Sequence, residues 1–211
     1  MKYLFIDFEF SNSYMNEPKI CEFGYVLCDE NFKILDDQDI LINPGKGGTF
    51  QPSHRGVFHY YHPMNNYYKA KEYPAFYDEI KRLLTDKDIL VFGYAVDGDI
   101  NSVFVANKRY RKEQYEIVAY DVQRLLEEFI ESNQKLSLEN VFKDIYGDRD
   151  EYYDVVPHKP DDDAYMTMLI LKEHTLILNQ NVIDLINNNP QMEYHSVKGY
   201  GKLKCEKTRD N

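Results

Sequence analysis

Tyr3-Leu4-Phe5-Ile6-Asp7-Phe8-Glu9-Phe10 reads as a β-strand with two apolar faces, one of which turns acidic at its end. Side chains alternate across a strand, so Leu4, Ile6, Phe8 and Phe10 share one face and Tyr3, Phe5, Asp7 and Glu9 share the other. Apolar residues on both faces place the strand in the middle of a sheet covered from both sides. Asp7 and Glu9, two residues apart, point the same way. Two anions side by side on a central strand are costly unless something positive is bound. A hard divalent cation, which prefers oxygen ligands, is one such partner. The plainer alternative is that the strand surfaces here and water solvates both acids.

Working outward, Glu22–Cys28 and Lys33–Ile42 are two more apolar runs, separated by the turn-like Asp29-Glu30-Asn31. Together with the first strand they predict an antiparallel meander. Asn43-Pro44-Gly45 ends it, and residues 45–73 have no clear period, as expected of a long loop with at most one short helix. Phe76, Ile80, Leu83 and Leu84 have helical spacing, Ile89–Phe92 is a short strand, and a helix starts near Gly98 with Ile100, Val103 and Phe104 facing inward. Ile117–Tyr120 is another strand. Amphipathic helices follow over Val122–Ile130 and Leu138–Ile145, and Pro160 opens a further helix that carries Ala164, Met168 and Leu171. Three strands followed by strand–helix alternation predict one mixed α/β sheet with helices packed on it. The expected division is a domain over residues 1–175 and a C-terminal part over 176–211, made of a short helix at Val182–Ile186 and a basic, mobile tail from Val197.

Composition narrows the function. A net charge of −11 argues against wrapping a long duplex, which needs many Lys and Arg to displace counterions, but leaves a short single strand open as a partner. Cys21, Cys28 and Cys205 form no C-x-x-C pair and are odd in number, so free thiols in a reducing cytosol fit better than a cysteine zinc site or a disulfide framework. No run is long enough to span a membrane, and Asp7 and Glu9 make Met1–Phe10 a poor signal peptide. The expectation is a soluble cytoplasmic protein with no membrane partner.

Two further acidic segments stand out. Ile89–Phe92 runs through Gly93-Tyr94-Ala95-Val96 into Asp97-Gly98-Asp99 at a helix start, and His158-Lys159-Pro160-Asp161-Asp162-Asp163-Ala164 opens the helix after Pro160. Either segment alone is explained by the preference for Asp in a helix's first turn. In order, on one predicted sheet, the three segments resemble the DEDD superfamily of 3′→5′ exonucleases in its His-containing branch, DEDDh, which includes proofreading exonuclease subunits, ribonuclease T and oligoribonuclease. The D-x-E motif on the first strand matches Asp7-Phe8-Glu9, the Asp after the strand–turn matches Asp99, and the His-x4-Asp-Ala motif matches His158 and Asp163-Ala164. Glu22-Phe23-Gly24, Asn43-Pro44 and Tyr120-Asp121 are similar to smaller family features. Asp97 stays a rival to Asp99, and Asp162 a weaker rival to Asp163. Tyr94-Ala95 replaces the family's usual His-Asn, and the usual His-Gly-Ile segment has no clear counterpart.

The resemblance implies a ribonuclease-H-like fold with a mixed five-stranded sheet flanked by helices. It implies a metal-dependent 3′→5′ exonuclease that hydrolyses single-stranded or frayed DNA or RNA 3′ ends to nucleoside 5′-monophosphates. Two Mg2+ or Mn2+ ions would be held by Asp7, Glu9, Asp99 and Asp163, with Asp7 bridging them, and His158 would act as general base. Phe10, Tyr94, His59 and the Phe58–Tyr61 stretch are candidates to contact terminal bases. The competing readings are a non-catalytic nucleic-acid-binding or scaffold module on the same fold, and an endonuclease.

Overall fold

The computed structural model describes residues 1–13, 19–46, 48–49, 60–127, 136–147, 152 and 154–196. Its strands are β1 (Lys2–Ser13), β2 (Lys19–Asp29), β3 (Ile34–Leu41), β4 (Gly48–Thr49), β5 (Ile89–Gly93), β6 (Ile117–Asp121) and β7 (Glu193–Ser196). Its helices are α1 (Met64–Lys69), α2 (Tyr77–Thr85), α3 (Asp97–Arg109), α4 (Val122–Leu126), α5 (Leu138–Tyr146), α6 (Pro160–Leu178) and α7 (Val182–Asn188). The sheet runs β3-β2-β1-β5-β6-β7, with the two-residue β4 pairing the end of β1. β1, β2 and β3 form the expected antiparallel meander, while β5 and β6 join parallel to β1 through helical crossovers.

The mixed α/β sheet foreseen from the sequence is therefore present, and β7 adds one strand antiparallel to β6. Four residues are too few for a readable alternation. What holds β7 is specific: Ile117 N–H donates to Ser196 Oγ at 2.7 Å, and the Ser196 hydroxyl donates to Ile117 O at 3.0 Å. Residues 128–130 of the expected fourth-helix extension, and the tail from Val197, lie outside the described residues. No helix among the described residues is long and apolar enough to cross a membrane.

The two apolar faces of β1 each feed a core. Leu4, Ile6 and Phe8 pack with Ile80, Leu83 and Leu84 of α2 and with Ile100 and Val103 of α3. Tyr3 and Phe5 pack on the other side with Leu125 of α4, Val141 of α5, and Met168 and Leu171 of α6. Each of these large side chains contributes about 1.5–3 kcal/mol by leaving water. The edge strand β3 carries Asp36, Asp37 and Asp39 and is largely exposed over its first half, a charge pattern that discourages edge-to-edge association.

One contact fixes where the acidic face goes. A Cβ built on Gly24 would sit 2.1 Å from the Pro160 carbonyl carbon and 2.2 Å from Asp161 N, so the start of α6 lies directly on bare β2 backbone. Gly24 is also the antiparallel partner of Asp7. The glycine thus brings the α6 start beside the acidic end of β1. Gly24→Ala should lower stability by about 1–3 kcal/mol through overpacking, measured by urea unfolding. Gly98→Ala is the comparator: a Cβ there meets nothing within 4 Å, so this change within α3 should be neutral or stabilising by up to about 1 kcal/mol. Equal effects from the two substitutions would rule out the close-contact argument.

Candidate metal centre

Asp7 and Glu9 emerge together at the end of β1, opposite Gly24 and Glu22 of β2. The pairing register shifts immediately after Glu9, an irregularity that ends the regular ladder where the acids are presented. Asp99 arrives from α3, delivered by a tight Gly93–Val96 turn. A Cβ on Gly93 would lie 2.6 Å from Val96 Cγ2, and Ala95 has a left-handed backbone with φ +55°. That turn is pinned by Asp121, whose Oδ1 accepts from Ala95 N–H and from Gln123 N–H, each at 3.0 Å. Asp121 therefore caps α4 and secures the Asp99 turn with one carboxylate.

Asp163 lies in the first turn of α6 and is buried. Its Oδ1 accepts the backbone N–H of His158 at 3.1 Å, and His158 has φ +66°, in the left-handed region. A non-glycine residue held there stores backbone strain, and the Asp163 hydrogen bond is what holds it. The His158 side chain is exposed. Glu9, His158 and Asp163 offer ligand atoms that all lie within 4.8 Å of one another. Asp7 and Asp99 fall outside this tightest group, but they act on it electrostatically.

Burial pushes all four carboxyls upward, and the neighbouring charges that raise them are negative. Asp7 is raised well above its usual range by burial and by Glu9, and Asp99 by burial, Asp7, Glu9 and Asp121. Glu9 rises to about 7 through burial and Asp163, while Asp163 rises to about 8 through burial, Asp7, Asp162 and Glu139. Four mutually raised carboxyls in one place form a set that a divalent cation would relieve, and four carboxylates, without the imidazole, are an all-oxygen donor set that suits Mg2+ or Mn2+.

The rivals sit differently. Asp97 is half-buried and accepts Gly98 N–H at 2.9 Å beside itself. Asp162 accepts Val156 N–H at 3.1 Å and lies 3.5 Å from Lys159 Nζ. Phe10 packs against the first core. Tyr94 packs against the second core, with its hydroxyl donating to Leu136 O at 3.0 Å. His59 and Phe58 lie outside the described residues. Tyr60, Tyr61, Glu139, Val156, Pro157 and His158 line a cleft of about 470 Å3. Glu139, from α5, and the turn-pinning role of Asp121 escaped the sequence reading. Glu139 has no motif around it, and Asp121 looks like an ordinary cap.

The raised carboxyls give a pH dependence. Glu9 and Asp163 have ordinary values of 4.5 and 3.8 and folded values of about 7 and 8. Between those limits the folded chain keeps protons that the unfolded chain releases, so raising the pH through that window costs stability. Without metal, the melting temperature should fall from pH 5 to pH 8, and Asp163→Asn should flatten the fall. Added Mn2+ should stabilise more at pH 8 than at pH 5, because it competes with protons for the same oxygens. Thermal melts in EDTA and in Mn2+ measure this; a melting temperature that rises across the window in EDTA would contradict it.

No protein-family model and no curated protein matches the chain by sequence. Solved structures do match. The nuclease domain of 3′hExo, a DEDDh family member bound to rAMP, aligns with a TM-score of 0.68 at 15% identity, over 85% of this chain and 94% of that one. A full-length 3′-exonuclease aligns with a TM-score of 0.71 at 14% identity, over 100% of this chain and 93% of that one. E. coli Exonuclease I in complex with a dA16 oligonucleotide gives 0.68 at 16% identity over 89% of this chain, which spans only 42% of that protein. Identities this low establish architecture, and the architecture is the ribonuclease-H-like fold of the DEDDh exonucleases.

Proposed function

We propose that this chain is a divalent-metal-dependent 3′→5′ exonuclease acting on single-stranded or frayed DNA or RNA ends. The observation that carries the reading is the convergence of Glu9, His158 and Asp163 within 4.8 Å, beside the half-buried Asp7 and the buried Asp99, on this fold. Asp7, Glu9, Asp99 and Asp163 would hold two Mg2+ or Mn2+ ions, which when bound activate a water and stabilise the leaving oxygen of an in-line displacement. Asp99 is preferred to Asp97 as a ligand because it is buried and faces the charges of Asp7 and Glu9.

His158 is the proton acceptor for the attacking water. It stands at the exposed rim of the acids, and its backbone is tethered to Asp163. Attack of that water at phosphorus would break the P–O3′ bond, so the preceding nucleotide leaves with a free 3′ hydroxyl and the terminal nucleotide keeps the phosphate on its 5′ side. Tyr60 and Tyr61 line the cleft beside His158, and Tyr61 is 53% exposed, so its ring has a face free for a terminal base. Such stacking is worth about 1–3 kcal/mol per base whatever the sequence. Lys159 Nζ lies 5.7 Å from the Tyr61 ring and pairs with Asp161 at 2.6 Å and Asp162 at 3.5 Å, so its charge is largely neutralised at the start of α6. The solved relatives include one bound to rAMP and one bound to a DNA oligonucleotide, so both sugars stay in the proposal. The buried free thiols Cys21 and Cys28 support a reducing, cytoplasmic setting.

A time course on 5′-labelled DNA and RNA oligomers with Mg2+ or Mn2+ tests the reading. Stepwise shortening from the 3′ end, abolished by EDTA and by the Asp7→Ala/Glu9→Ala double variant, is expected. Circular single strands should resist. His158→Ala should lower kcat by about 10^2–10^4-fold while Mn2+ binding is largely kept. Undiminished cleavage by the double variant would refute the metal-centre assignment, and cleavage of circles would replace the exonuclease by an endonuclease.

A further inference from the structure

Beside the proposed catalytic centre the structure gathers a second group of metal-ligand side chains: Glu22 of β2, Asp39 of β3, and His62 from the segment leading into α1. Each offers a ligand atom within 4.8 Å of the others. Strand register explains the first two. Glu22 pairs with Leu41, and Asp39 lies two residues from Leu41, so both side chains stand on the same face. His62 is brought over them by the chain entering α1, and its Nε2 lies 2.7 Å from Asp39 Oδ2.

The group is unusual in being closed off and incompletely satisfied. Glu22 is 1% exposed, and the Tyr67 hydroxyl donates to its Oε1. Its Oε2 is buried with no hydrogen-bond partner, and so is Asp39 Oδ1. Burial and the charges of Asp39, Glu9, Asp161 and Asp7 push the Glu22 carboxyl up to about 9. A proton on Oε2 would neutralise Glu22, but no acceptor is placed for it. The nearby ammonium of Lys159 is engaged with Asp161 at 2.6 Å and Asp162 at 3.5 Å. Two buried oxygens without donors and an imidazole beside them have the composition of a cation cage.

We propose that Glu22, Asp39 and His62 form a second divalent-cation site, separate from the Asp7–Asp163 centre, that takes a zinc-class ion. An imidazole with two carboxylates favours Zn2+ over Mg2+. Tetrahedral ligands about 2.1 Å from zinc lie about 3.4 Å apart, so a group spanning up to 4.8 Å needs only a modest inward movement to close on the ion. Tyr67 orients Glu22 from behind, leaving Oε2 as the ligating oxygen, as outer-shell partners of metal ligands do. The bound ion would clamp the segment carrying Tyr60 and Tyr61 to the sheet. Its role is structural, so the proposal stands or falls independently of the nuclease reading.

The test uses the full chain in an Asp7→Asn/Asp163→Asn background, which weakens the other centre. After stripping and reloading with Zn2+ alone, one zinc per chain is expected to survive gel filtration, measured by atomic emission. Co2+ in its place should show the visible bands of a tetrahedral centre. Adding His62→Ala or, separately, Asp39→Asn should remove both signals and weaken Zn2+ binding by at least about 100-fold, with far-UV circular dichroism unchanged. Zinc retention that does not depend on His62 or Asp39 would overturn the proposal. So would failure of the background protein to retain zinc at all, which would leave the group as a protonated carboxyl network.

Discussion

The first turn of α6 lies on bare backbone at Gly24, and Gly24 faces Asp7 across the β1–β2 ladder. A helix can come this close to a sheet only where a side chain is missing. The consequence is electrostatic as much as steric. The α6 N-terminus, with its uncompensated N–H groups, sits over a sheet face that carries Asp7, Glu9, Glu22 and Asp39. The positive end of the helix dipole offsets part of that charge, and the acids Asp161, Asp162 and Asp163 occupy the same turn. The sum remains strongly anionic, and burial among these like charges holds several of the carboxyls above their usual range.

That face is continuous. Glu9 and Glu22 are directly paired across β1 and β2, and Glu9 and Asp7 both raise Glu22. The α6 start divides the band into two parts. On one side Glu9 and Asp163 meet His158 beside a cleft, with Asp7 and Asp99 acting on them through charge. On the other, Glu22 and Asp39 are sealed by His62 and Tyr67. Open access and an exposed imidazole suit chemistry. A buried Glu22 with a half-buried Asp39 and His62 over it suits a structural ion. The same strand register produces both, because acids two residues apart on adjacent strands fall on one face.

Much of this was legible in the sequence where geometry is local. Alternation along Tyr3–Phe10 places the two cores and the acid pair without any tertiary information. The five strands of the meander and the alternating half follow from apolar runs and turn residues. β7 was not legible, because four residues paired to β6, with the Ser196 hydroxyl closing the ladder, leave no periodic trace. Glu139 was not legible either: its place at the cleft depends on how α5 packs, which no local pattern encodes. No local pattern marks His62, since its partners are 40 and 23 positions away in the chain, at Glu22 and Asp39. The choice of Asp99 over Asp97 as proposed ligand needed burial as well as alignment. Both open the same helix, but only Asp99 is buried and accepts a hydrogen bond from the Phe8 backbone.

The acidity of the chain and its proposed substrate then become compatible rather than opposed. A polyanion approaching four carboxylates in one place meets repulsion that falls slowly with distance inside a low-dielectric cleft. Loading two divalent ions would set four positive charges against the four carboxylates, which would remove the local repulsion while the net charge of the whole chain stays negative. The relief would be confined to the site itself, beside the cleft that the exposed Tyr61 lines. A long duplex, which needs an extended basic surface, gains little from so local a field. A single-stranded end, threaded one nucleotide at a time, needs no more than this. On the proposed reading, metal occupancy controls substrate binding as well as chemistry, and the negative surface beyond the cleft selects ends over long duplex tracts.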